Sequence, residues 1–209
     1  MTTIPPIPMP LRWDAPPERW SVEDGDRDGG GGGAVLAVTA GPRTDLFADP
    51  GGGPATLNAP RLLGDPAGDF QLSARVTVGF AAAFDAGVLL LWAHERAWAK
   101  LCFESSPRGE PMVVSVVTRG VSDDCNAFTV DGDHVWLRAA RLGPAFAFHA
   151  STDGSTWRFV RYFTLDPAAD AAAAAVGFEA QSPTGESCTV TFDAIRFTTE
   201  RLSDLRDGT

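Results

Sequence analysis

The residues Phe70-Gln-Leu-Ser-Ala-Arg-Val-Thr-Val78 alternate without a break. Phe70, Leu72, Ala74, Val76 and Val78 fall on one side of an extended chain, and Gln71, Ser73, Arg75 and Thr77 fall on the other. A period of two belongs to a strand with one buried face and does not fit a helix. Related segments recur down the chain. Residues 87–92 are apolar on both sides, as in a central strand; 98–104 alternate again; 113–119 are β-branched; and 135–141, 145–149, 157–163, 175–180 and 188–193 follow. Gly-, Pro- and Asp-rich breaks separate them at intervals of roughly ten residues, the punctuation of an all-β sandwich or barrel. The pattern predicts upwards of about ten strands and very little helix. Phe70, Leu72, Val76, Leu101, Phe103, Val116 and Phe178 are expected in the core.

The remaining segments fit one domain over residues 1–209. Residues 1–10 are proline-rich and read as an extended arm, residues 24–33 as a loose glycine-rich loop, and residues 198–209 as a C-terminal tail. Asp153-Gly154, between two strands, is a hairpin turn. The only helical candidate, 166–175, is too short for more than a turn or two.

The net charge of −10 is the wrong sign for a phosphate backbone or an anionic membrane, so neither nucleic acid nor membrane is expected as a partner. No apolar run approaches the length of a membrane-spanning helix. The first residues carry neither a basic nor an apolar signal region. Cys102, Cys125 and Cys188 are odd in number and form no CxxC, so three free thiols and a cytoplasmic location are expected. Lys100 is the single lysine among 17 basic side chains. A lysine that persists amid arginine can mark a position where the guanidinium will not serve.

The order of the pieces carries a resemblance. It runs Pro10-Leu-Arg-Trp-Asp-Ala-Pro-Pro-Glu-Arg-Trp20, Thr44-Asp45, Phe84-Asp-Ala-Gly87, Trp98-Ala-Lys100 and Glu104, then Val114-Ser-Val-Val-Thr-Arg119 and Ser122-Asp-Asp124. Val135-Trp-Leu-Arg138, residues 151–157, Gly177-Phe-Glu-Ala-Gln-Ser-Pro183 and Val190-Thr-Phe192 complete it. From about Pro10 to Phe197 the chain resembles the DUF1349 family, which takes in YesU-like and yeast regulation-of-enolase-like proteins. The resemblance implies a concanavalin A-like jelly-roll β-sandwich of two curved antiparallel sheets, whose concave face would be the ligand groove.

Parity selects the residues that could line such a groove. If Leu101 and Phe103 enter the core, then Trp98, Lys100, Cys102 and Glu104 leave it. Lys100 and Glu104 lie roughly 13 Å apart along the strand, so they need neighbours to join them. Thr118, Arg138, Arg161, Gln181 and Ser182 are expected from adjacent strands, with Ser122, Asp123, Asp124 and Asn126 in a loop at the rim. Cations, carboxylates and a tryptophan facing outward are what a saccharide requires: forked polar groups and an aromatic platform. Lys100 and Glu104 are also the candidate acid–base pair. Glucanases of the related fold carry an ExDxE strand, but Glu104 is followed by Ser105-Ser-Pro-Arg108, so no such carboxylate pair is present.

Two readings remain. One is a lectin-like module that binds a carbohydrate or small polar molecule in the groove. The other is a small-molecule enzyme of isomerase or lyase type that uses Glu104 and Lys100. No metal or cofactor is expected. The 122–126 cluster lacks calcium-loop spacing, and His94, His134 and His149 lack zinc spacing. Nothing in the pattern fixes an oligomeric state.

Overall fold

The computed structural model describes residues 1–25, 33–165 and 174–209. Their strands, numbered in chain order, form two seven-stranded antiparallel sheets. The first sheet runs β1 (Arg12–Ala15), β6 (Arg61–Gly64), β15 (Ala175–Gln181), β8 (Ala86–His94), β9 (Ala97–Ser105), β10 (Pro111–Arg119), β11 (Val121–Thr129). The second runs β14 (Arg158–Phe163), β13 (Ala145–Ser151), β12 (His134–Leu142), β7 (Phe70–Val78), β16 (Cys188–Thr198), β3 (Gly33–Ala40), β2 (Arg19–Gly25). A small ribbon, β4 (Leu46–Phe47) with β5 (Thr56–Leu57), belongs to neither. The sheets pack face to face as the concanavalin A-like sandwich the sequence predicts.

The core follows from the alternation. β7 turns Phe70, Leu72, Ala74, Val76 and Val78 inward, and β9 answers with Ala99, Leu101 and Phe103. Phe178 of the first sheet meets Phe192 of the second with ring centroids 4.9 Å apart. Removing such apolar area from water is the main force holding the two layers together. The turn after β13 forms as its sequence dictates. Asp153 accepts the backbone N–H groups of Ser155 and Thr156, and Gly154 takes a left-handed φ of 73°. Those hydrogen bonds, the one from Thr156 foremost, hold the Asp153 carboxyl below its ordinary range.

Three expectations need correction, and a fourth goes largely untested. Val116 is buried, but on the outward face of the first sheet, because β10 is apolar on both sides and parity there is ambiguous. The proline-rich start is not an extended arm. Thr2 and Leu11 exchange backbone hydrogen bonds of 2.7 and 2.8 Å, and Ile4, Ile7 and Leu11 join the core. Of the loose loop expected at 24–33, Asp24 and Gly25 belong to β2 and Gly33 begins β3, while residues 26–32 lie outside the described residues. The short helix expected at 166–175 lies outside the described residues, except for Ala174 and for Ala175, which opens β15.

All three cysteines are free thiols; Cys102 and Cys188 are buried and Cys125 is exposed on β11. A thiol reagent applied to the native protein is therefore expected to titrate one sulfhydryl rapidly, and three after denaturation. Rapid reaction of two or more in the native state would contradict this packing.

Candidate functional site

Outward positions of the first sheet are normally wet, yet here most are buried. Residues 44–59 cross this face as a strap, and Leu46, Leu57 and Ala59 cover Val88, Leu90, Trp98, Cys102, Val114 and Val116. Several polar anchors fix the strap. Ala48 donates to Ser122 Oγ at 2.9 Å and accepts from the Ser122 N–H at 2.8 Å. Thr118 Oγ1 lies 2.9 Å from the same hydroxyl. At the other end the Ser182 N–H donates to the Thr44 hydroxyl, 3.0 Å.

Register places the charged groups beneath and beside that strap. Across β15, β8 and β9, Gln181, Ala86 and Glu104 form one row, Glu179, Val88 and Cys102 the next, and Gly177, Leu90 and Lys100 the third. Lys100 reaches diagonally over these rows. Its Nζ donates to Gln181 Oε1 at 2.8 Å and to Asp45 Oδ1 of the strap at 3.2 Å. Gln181 Nε2 donates to the Phe84 carbonyl, which turns Oε1 toward the lysine. Gly177 belongs at its position because a Cβ there would collide with the Leu62 carbonyl of β6.

Lys100 is 2% exposed and Glu179 is 0% exposed. Neither carboxyl oxygen of Glu179 has a hydrogen-bond partner among the described residues. Burial pushes the Glu179 carboxyl up to about 7, against the pull of Lys100. Half-buried Glu104 is likewise raised to about 7, by burial first, with Lys100 opposing and Asp45 and Asp124 adding repulsion. Burial works against the Lys100 charge, but Asp45, Glu179 and Glu104 outweigh it and hold the ammonium above the ordinary lysine value. Burial pushes the Cys102 thiol well up, so it stands among these charges as a neutral group. The site therefore holds one fixed cation and two carboxyls raised to about 7, the range suited to acid–base transfer.

Not every expected residue belongs here. Lys100, Glu104 and Gln181 converge. Ser182, Thr118 and Ser122 lie around the site but serve as anchors; the Ser182 hydroxyl donates to buried Asp85 at 2.7 Å, and Asp85 in turn holds the backbone N–H groups of Ala81 and Ala82. Asp124 and Asn126 share the face on exposed β11, through their pairing with Val116 and Val114. Residues 122–126 form an edge strand rather than the expected rim loop. Asp123 has the opposite parity and pairs with Arg161 at 2.8 Å.

Arg161 belongs to β14 of the other sheet, and it also donates to the Asp123 carbonyl and to Ser115 Oγ on the inner side of β10. It links the two sheets at their open edge and does not line the site. Arg138 lies on the outer face of the second sheet, over the ring of Trp157 at 4.2 Å. Parity sorts residues on one strand but does not tell which sheet a strand joins. Trp98 is fully buried under the strap and offers no stacking platform; Lys100 Nζ lies 5.8 Å from its ring.

Two site residues escaped the sequence reading. Asp45 comes from the strap, which no periodicity announces. Glu179 was within reach: Phe178 and Ala180 enter the core, so Glu179 must leave it toward Gln181. A second carboxyl near Lys100 is thus supplied by another strand, not by a repeat along β9.

The comparisons agree with this architecture. A functionally unknown protein from Saccharomyces cerevisiae superposes with a TM-score of 0.76 at 22% identity, covering 91% of this chain and 97% of that one. A bifunctional GH43-CE protein from Bacteroides eggerthii gives 0.67 at 14% identity, over 93% of this chain and 24% of that one. The chain thus spans about a quarter of that larger protein. An alginate lyase from Klebsiella pneumoniae gives 0.50 at 11% identity, over 79% and 81%. At these identities the likeness is one of fold. No curated protein matches the sequence. The model for the family described as protein of unknown function (DUF1349) matches residues 13–200, and the chain belongs to that family.

Proposed function

We propose that the protein binds a small hydroxyl-rich ligand, of carbohydrate or similar polar type, against Lys100, Glu104, Glu179 and Gln181 on the outer face of the first sheet. The observation that carries this reading is Glu179, a fully buried carboxyl with both oxygens unpartnered among the described residues. Burying such a group without a donor is costly, so a site that keeps one is built to receive donors from elsewhere. Ligand hydroxyls supply donors to the carboxyls and acceptors to the ammonium. Phe84, exposed at the rim with a left-handed φ of 68°, offers the apolar surface that Trp98 does not.

A second reading is favoured by the two carboxyls near 7. On a bound ligand, Glu104 would exchange a proton at a carbon or hydroxyl while Lys100 stabilises the developing negative charge. This is the isomerase or lyase alternative.

A thermal-shift panel of saccharides, polyols and small polar acids tests both. At least one compound is expected to raise Tm by roughly 5 °C or more when present at about a hundred times its Kd. Glu104 is half-buried, so Glu104→Gln should fold and lose most of that shift under the binding reading. Retained shift with lost turnover of the same compound would support the catalytic reading. A panel with no shift, or shifts identical in wild type, Glu104→Gln and Glu179→Gln, would remove the site from consideration.

A further inference from the structure

A cavity of about 180 Å³ opens on the outer face of the second sheet, on the far side of the sandwich from Lys100. Arg138 and Arg196 line it, together with Trp136, Trp157, Gln71 and Ser73. Arg138 is 7% exposed, and its guanidinium is only partly used. One terminal nitrogen donates to the Gly208 carbonyl at 2.6 Å, and the Trp157 ring covers it. Its Nε has no partner, and no carboxylate pairs with it among the described residues. Arg196 is exposed at the cavity, and its guanidinium has no ion pair or hydrogen bond among the described residues. The contrast with neighbouring Arg75 is sharp: Asp193 neutralises that guanidinium through contacts of 2.7 and 3.0 Å.

Two guanidiniums left without counter-charge in one small cavity call for an anion. Desolvation alone lowers the Arg138 value to about 10, which an approaching negative charge would reverse. The forked donors of arginine fit a carboxylate. The Gln71 amide, whose Nε2 also donates to the Glu200 carbonyl, and the hydroxyl of Ser73 fit hydroxyls, and the tryptophans supply aromatic surface for the apolar side of a sugar ring. We infer that this cavity binds a carboxylated monosaccharide unit, a uronic acid, through Arg138 and Arg196. The inference stands apart from the reading of the Lys100 site, since the two share no residue.

Calorimetric titration of the full chain with D-glucuronate and D-galacturonate is the test, with D-glucose, D-galactose and acetate as comparison ligands. A uronate should bind at least about tenfold more tightly than its neutral sugar or acetate. Arg196→Gln should leave Tm unchanged, because the side chain is exposed, and weaken uronate binding about tenfold or more. Arg138→Lys, which keeps the charge and loses the fork, should weaken it as well; if that variant folds poorly, Arg196→Gln decides alone. Glu104→Gln should leave uronate affinity as in wild type. The inference fails if neither uronate binds, if the neutral sugar or acetate binds equally well, if Arg196→Gln binds as wild type, or if Glu104→Gln abolishes binding, which would place the uronate at the Lys100 site.

Discussion

The Lys100→Met variant is expected to unfold about 3–5 kcal/mol more readily than wild type at pH 8, with Tm lower by roughly 10 °C. Parity alone places Lys100 outside the core and would make it dispensable for folding. The strap changes that. Methionine fills much of the same space, but it leaves Asp45, Glu179, Glu104 and the Gln181 carbonyl without their shared cation. Removing one partner from a buried charged set is costly because the others stay buried. The raised ammonium is charged throughout the range from pH 5 to 8, so its own titration does not enter. The carboxyls do titrate there, and at pH 5 both glutamates are neutral. The destabilisation should therefore shrink as pH falls from 8 to 5. Urea melts of both proteins at the two pH values would show it. Equal stability at pH 8 would mean that the lysine is not holding the cluster together.

Glu179→Gln is expected to act in the opposite sense, stabilising the protein at pH 8 by up to about 3 kcal/mol. The folded carboxyl titrates at about 7, against an ordinary value of 4.5. Between those values the native chain keeps a proton that the unfolded chain has released. Stability from this group is thus fully present below about pH 4.5, declines as pH rises, and is lost above about pH 7. Glutamine cannot ionise, so the variant should follow a flatter stability curve and cross above wild type on the alkaline side. Denaturant titrations at pH 4.5, 6 and 8 would detect the crossing. A wild-type curve that is flat or rising through this window, or a variant less stable at pH 8, would show that the buried carboxyl is satisfied in solution. A residue that costs stability at neutral pH and yet stands in the fold is what a functional site is expected to contain.

The sequence makes the sandwich legible because each core strand carries its own period. β7 and β9 can be assigned to faces from their residues alone, and Lys100, Glu104 and Gln181 follow from that parity. What parity lacks is a third dimension. Arg138 faces outward as expected, but from the second sheet, and Arg161 of that sheet turns inward beside Ser115; only long-range pairing decides which sheet receives a strand. The strap has two-residue strands and no period, so nothing local reveals that it will bury Trp98 and complete the site with Asp45. β15 is buried along its whole length, which disguises Glu179 as one polar residue in an apolar run.

The burial of Lys100 also shapes the exterior. Every other basic side chain is arginine, so the exterior carries its basic side-chain charge as guanidinium alone. Acylating agents directed at lysine would find their single target already engaged by Asp45 and Gln181 and fully protonated, a form that does not attack. Chemistry that neutralises the lysines of an ordinary surface would leave the side-chain charge pattern of this one intact.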